Sequence, residues 1–197
     1  MPTPVETKKK VSRRQQARQQ QKRPSITTIL AVVGLVTVTA FIVYSISQSP
    51  QTVALDGLLQ FTVERGHQEG SLTYAQTPPA GGVHNASWMN CGVYDQPIPN
   101  EKGVHSLEHG AVWITYQPDL PSAEVEKLRT LTRQSGYRLL SPYPGLPKPV
   151  VVSAWGYQIK LDSADDPRLI SFIVKYQQNP RGPEPGAPCT GGEGNPG

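Results

Sequence analysis

From Ile26 to Ile46 the chain reads ITTILAVVGLVTVTAFIVYSI, and no charged residue occurs anywhere between Arg23 and Asp56. A helix rises about 1.5 Å per residue, so this run matches the roughly 30 Å of hydrocarbon in a bilayer. The threonines and Ser45 weaken the match little, because their hydroxyls bond back to carbonyls of their own helix. Ahead of the run, residues 1–25 carry eight basic side chains against Glu6 alone, a net +7. The flank after it, SQSPQTVALDG, has no basic residue. The positive-inside rule then makes residues 1–25 a cytoplasmic tail, disordered by its glutamine-rich composition, and residues 26–46 a single-pass transmembrane helix. Everything after residue 46 is extracytoplasmic on this reading, and the protein's first partner is the membrane. A cleaved signal peptide is the competing reading, with Ser45–Ser47 as a small-x-small site. Its hydrophobic region is normally about 7–15 residues, shorter than this one.

The total charge of +4 therefore averages two unlike parts, for residues 26–197 carry a net −3. No basic, aromatic-interleaved face is visible there, so a nucleic-acid partner has no support. A linker at 47–54 leads to a domain expected at 55–180, followed by a Pro/Gly-rich C-terminal tail at 181–197. Beyond residue 46 lie 17 of the 20 prolines and 17 of the 18 glycines, so turns should abound. Strands are expected at Leu58–Val63, Ala111–Tyr116, Tyr137–Leu140, Val150–Trp155 and Tyr157–Leu161, the last two joined near Gly156. Helices are expected from Ser122 as cap to Gly136, and from Asp166 as cap with Pro167 in the first turn. This order favours an α+β fold, a small mixed-sheet sandwich with about two helices.

Chemistry-bearing residues are few. Cys91 and Cys189 both fall outside the membrane, where two cysteines most often make one disulfide, here tying the tail to the central loop. No C-x-x-C is present, which argues against thioredoxin-type exchange. The four histidines, His67, His84, His105 and His109, are confined to positions 67–109. Imidazoles in this number suffice for most of the ligand sphere of Zn or Cu. In VHSLEHG, His105 and His109 share a face if the segment is helical, but lie about 13 Å apart if it is a strand. The string also matches H-x-x-E-H, with Glu108 as general base, although Gly110 and the following strand leave little room for the long helix that motif needs. The same histidines could instead be hydrogen-bonded structural groups at a helix–strand corner. His84, Met89 and Cys91 form a second, sulfur-rich set within eight positions.

The segments PPAGGVH, GVYDQPIPNEKGVHSLEHGAVWITYQPDLP, LSPYPGLPKPVVVSAWG and PEPGAPCTGG together resemble a bacterial domain-of-unknown-function family of the DUF3105 type. The resemblance spans Leu55 to Gly192. It implies one N-terminal membrane segment and an extracytoplasmic domain, and all four histidines match the family's histidine positions. The family's form near His84 is closer to P-P-T-S-G-x-H. Ala80 and Gly81 stand here in place of the two hydroxyl residues, which argues against a hydroxyl-based role for that loop. The expected function is a membrane-anchored extracytoplasmic protein binding Cu or Zn through His67, His84, His105 and His109, as carrier, sensor or assembly factor. Two alternatives remain open. One is a metal-dependent hydrolase or oxidoreductase with Glu108 as acid/base; the other is a metal-free cell-envelope domain that binds a protein partner.

Overall fold

The computed structural model describes residues 24–47 and 52–197. Most of the expected basic tail, and the middle of the expected linker, lie outside these residues. The chain divides between residues 49 and 50 into two units. The first holds helix α1 (Ile26–Ser47), long and apolar enough to cross a membrane. Leu30, Leu35 and Phe41 are among its many exposed apolar side chains, a composition suited to lipid rather than to water. Its polar residues are internally satisfied: Thr37 donates to the Gly34 carbonyl and Thr39 to that of Leu35, both at 2.9 Å.

The second unit is α+β, built on a six-stranded mixed sheet. In chain order its elements are β1 (Leu59–Gln60), β2 (Gly92–Val93), α2 (Asn100–Glu108), β3 (Val112–Tyr116), α3 (Ser122–Arg133), β4 (Arg138–Pro142), β5 (Val150–Ala154), β6 (Tyr157–Leu161) and α4 (Arg168–Tyr176). The strands lie in the order β1-β6-β5-β3-β4-β2, with β4 parallel to β2 and β3 and the other pairs antiparallel. The parallel β3–β4 pair needs a crossover, and α3 supplies it. The β5–β6 pair needs only the two-residue turn Trp155–Gly156, where Gly156 takes a φ of 76°.

Strand alternation sends side chains into two cores. On β3, Val112, Ile114 and Tyr116 join Leu128 of α3 and Leu169, Phe172, Ile173 and Tyr176 of α4 in the larger core. Trp113 points the other way, against Leu107 of α2 together with Leu139, Met89 and Ile98. The sheet therefore has helices on both faces, and its second face carries α2 and the histidines. That face also buries polar groups, and among the described residues Trp88 Nε1 is the buried side-chain atom left without a partner. Trp113 Nε1 donates to Ser141 Oγ at 3.0 Å, and Gln158 Nε2 donates to Ser153 Oγ and to the Pro78 carbonyl.

Two caps differ from expectation. Pro121, extended at ψ 135°, occupies the position before α3, so Ser122 is its first residue and makes no cap bond; the helix closes at Gln134 rather than Gly136. At α4 the expected cap is present, because Asp166 Oδ1 accepts the Arg168 backbone N–H at 2.9 Å and Pro167 already has helical angles. The Arg168 guanidinium bonds the same carboxylate and holds Asp166 below the usual carboxylate range. A depressed folded value means a contribution present above the unfolded value of about 4 and lost as pH falls through the folded one. Asp166→Asn keeps the cap acceptor but loses the charge facing Arg168 and the helix dipole, and should therefore cost about 0.3–1 kcal/mol near neutral pH, with the wild-type advantage gone in strong acid; thermal melts of both proteins from pH 7 to pH 2 would check it.

Candidate metal centre

The site is assembled on the C-terminal end of α2. This helix starts after Pro99, whose carbonyl receives the Gly103 N–H, and carries Glu101 in its first turn, where an acidic group favours the helix dipole. Gly103 lies against the indole of Trp113, so close that a Cβ there would sit 2.8 Å from the ring. At the far end Ala111 N bonds Ser106 O and Gly110 N bonds Leu107 O, the Schellman pattern, with Gly110 left-handed at φ 94°. His105 and His109 consequently sit one turn apart on one face, with Glu108 between them.

The remaining helix-end carbonyls have no partners within α2, and residues after α4 supply them. Gln178 N bonds Gly110 O, Glu184 N bonds Glu108 O, and Gly186 N bonds His109 O at 3.4 Å. Cys91 and Cys189 lie at disulfide distance, Cα atoms 5.3 Å apart, and the Cys91 N–H bonds the Cys189 carbonyl. His67 and His84 arrive on two short segments paired as an isolated parallel bridge, so their rings come together at 4.8 Å between centroids.

The imidazoles are held in one sense. Nδ1 of His84 lies 2.7 Å from the Gly82 carbonyl, Nδ1 of His105 2.7 Å from that of Asn85, and Nδ1 of His109 2.7 Å from that of Pro188. A carbonyl only accepts, so each Nδ1 carries its proton and each Nε2 presents a lone pair inward. Those lone pairs meet other acceptors. His105 Nε2 is 2.9 Å from His109 Nε2, and His84 Nε2 is 2.9 Å from Glu108 Oε2. Each contact requires a cation between acceptors, either a proton or a metal ion. Backbone carbonyls orienting ring nitrogens in this way are the usual support of metal-binding histidines.

Ligand atoms of His67, His84, His105 and Glu108 all lie within 4.8 Å of one another. With Zn–N bonds of about 2.0–2.1 Å, two ligands cannot be more than about 4.2 Å apart, so the widest pair must close by about half an ångström. Burial pushes the Glu108 carboxyl up, but the His84 bond and the neighbouring imidazoles outweigh it and leave the group below the usual range. Burial, reinforced by His109 and His84, holds His105 below its ordinary value despite the bond to Asn85 O. Both shifts favour the metal-competent forms, carboxylate and neutral imidazole. Trp155 packs edge-on against His84, and Trp88 lies over His105 and His109. His67 alone among the four is half exposed, so the group opens to solvent on its side.

All four histidines singled out in the sequence thus converge. In the four-membered donor group the fourth member is Glu108, while His109 stands beside it, 2.9 Å from His105 and 3.8 Å from the Glu184 carboxylate. The sulfur-rich set is dispersed: Met89 packs in the smaller core and Cys91 sits with Cys189. Asn85, in the sequon-like NAS, is buried, with its side chain bonded to the Ser87 N–H and to Glu69. At position 81 only glycine fits, since a Cβ would meet Val63 at 2.9 Å and φ is 132°. Trp155, Glu184 and Pro188 were not foreseen; no local pattern marks residues that reach the site from so far along the chain.

An α+β domain with buried imidazoles around a helix-end carboxylate, preceded by an apolar helix, is the class of protein defined here. Residues 67–191 match the model of the family described as protein of unknown function (DUF3105), and the chain belongs to that family. No curated protein and no solved structure matches it.

Two outcomes follow from the way α2 is held. Gly103→Ala gains up to about 1 kcal/mol in helix propensity but overpacks a fully buried indole at a cost of about 1–3 kcal/mol, so denaturant unfolding should show net destabilisation. Cys91→Ser/Cys189→Ser should lose about 2–5 kcal/mol by the same measurement, the loop closed by the pair being long.

Proposed function

We propose that this is a membrane-anchored extracytoplasmic protein that binds a divalent transition ion, Zn or Cu, on His67, His84, His105 and Glu108, serving as a metal carrier, sensor or assembly factor. The observation carrying this reading is the set of inward Nε2 lone pairs, each fixed by a carbonyl behind it and facing another acceptor. A structural histidine needs its two nitrogens to find a donor and an acceptor; these find acceptors on both sides. Three imidazoles and one carboxylate suit Zn or Cu(II), and with no free cysteine among the described residues there is no thiolate to draw Cu(I). His109 extends the group and supports His105. The apolar helix α1, the basic flank before it and the Cys91–Cys189 pair support placing the domain outside the cytoplasm.

The full chain in detergent, supplied in turn with Zn and Cu and then desalted, should retain about one ion by elemental analysis. His84→Ala and Glu108→Gln should each weaken retention by about 10–100-fold, in line with the loss of one ligand or its support. Metal at about 100 times the wild-type Kd should raise stability by about 2.7 kcal/mol in the wild type and by only about 0.4–1.4 kcal/mol in His84→Ala. A wild-type protein that holds neither ion, and melts at the same temperature with and without them, would end the metal reading.

A further inference from the structure

Beside the histidine cluster, behind Leu107, Gly110 and Trp155, lies a cavity of about 200 Å³. It belongs to none of the chemistry described above. Arg65 and Arg181 both line it, and no aspartate or glutamate does. Among the described residues neither guanidinium pairs with a carboxylate; Arg129, Arg133 and Arg168 do, while Arg138 bonds Gln177 and the Leu131 carbonyl instead. This concentration of positive charge runs against the net −3 of residues 26–197. The rest of the wall mixes aromatic rings (Phe61, Trp155, Tyr157, Tyr176) and amides (Gln60, Asn179) with small and aliphatic residues.

The backbone around Arg181 is built to put it there. Gln178 has φ 55°, the one non-glycine residue with positive φ among the described residues, in a region that disfavours side chains by about 1–2 kcal/mol. Its N–H and side-chain amide anchor this bend to the Gly110 and His109 carbonyls. Asn179 Oδ1 then accepts the Arg181 N–H at 3.0 Å and turns the chain so that residues 179, 181 and 182 face the cavity. Strain of this kind persists where the surrounding structure over-determines it and concentrates at ligand sites.

We infer that this cavity binds a small organic anion, a carboxylate or phosphate group held by Arg65 and Arg181 on a flat apolar body packed against Trp155, Tyr157 and Phe61. Guanidinium forks match the paired oxygens of either anion, and aromatic walls suit a ring or short chain. The volume of about 200 Å³ accommodates a body the size of one aromatic ring. The site does not depend on metal. Its occupant would touch the segment leading from Arg65 to His67 and the end of α2, so both ligand-bearing segments border it.

Calorimetric titration of the full chain in detergent, with a chelator present, tests this using benzoate, phenyl phosphate and uncharged benzyl alcohol as probes. Saturable binding of benzoate or phenyl phosphate, at least tenfold tighter than of benzyl alcohol, is expected; the tighter of the two identifies the anion as carboxylate or phosphate ester. Arg65→Gln and Arg181→Gln should each weaken it at least tenfold, and both side chains are exposed, so the fold should survive with an unchanged melting temperature. Absence of saturable anion binding overturns the inference, as does equal binding of benzyl alcohol or undiminished affinity in both arginine variants. Repeating the titration with Zn-loaded protein keeps the two sites separate: loss of metal binding in His84→Ala with anion binding intact is the expected pattern.

Discussion

A helix C-terminus buried in the protein interior is the constraint on which the remaining structure turns. Its last carbonyls cannot go unpaired away from water without a penalty of about 1–3 kcal/mol each. Gly110 resolves part of the problem with its left-handed turn, and N–H groups of Gln178, Glu184 and Gly186 resolve the rest. Once that end is closed, the positions of His105, Glu108 and His109 follow from helix geometry alone. The close approach of Gly103 to Trp113 sets the height of the helix above the sheet. The site is thus a by-product of satisfying one helix end in a dry place.

The arrangement is preorganised rather than relaxed. His84, His105 and His109 each spend their one proton on a backbone carbonyl, and the indoles of Trp88 and Trp155 keep water off two sides of the group. Each inward Nε2 faces another acceptor across 2.9 Å, so a proton or a metal ion must lie between them, and the backbone bonds do not let the rings turn away from it. The exposed edge of His67 is the natural point of exchange with solvent.

Much of this was legible in the sequence where the pattern is local. β6 at Tyr157–Leu161 coincides with its expected bounds, and α3 and α4 follow from their apolar stripes and from Asp166-Pro167. The confinement of all histidines to positions 67–109 foretold their convergence, and Glu108 was flagged by its place between two of them. α2 carries no clean helical stripe in the sequence, because glycine lies within it and it buries the polar His105, Ser106 and Glu108 as well as the apolar Val104 and Leu107. β2 is two residues long and joins the sheet through its backbone, so no side-chain pattern marks it. The replacement of hydroxyl residues by Ala80 and Gly81 now has a physical reason at one position, since Val63 leaves no room for a side chain at 81.

The bond from His109 Nδ1 to the Pro188 carbonyl spans 79 positions, and the Cys91–Cys189 pair spans 98. During synthesis, therefore, α2 and its neighbours emerge long before the segment that completes them. Closing contacts of such separation is slow, because the entropy of the intervening chain is lost before the contact returns anything. Until residues 178–189 arrive, the end of α2 has open carbonyls and His109 has no fixed tautomer. The cluster is consequently completed only by the last residues of the domain to be made, and its geometry depends on their arrival.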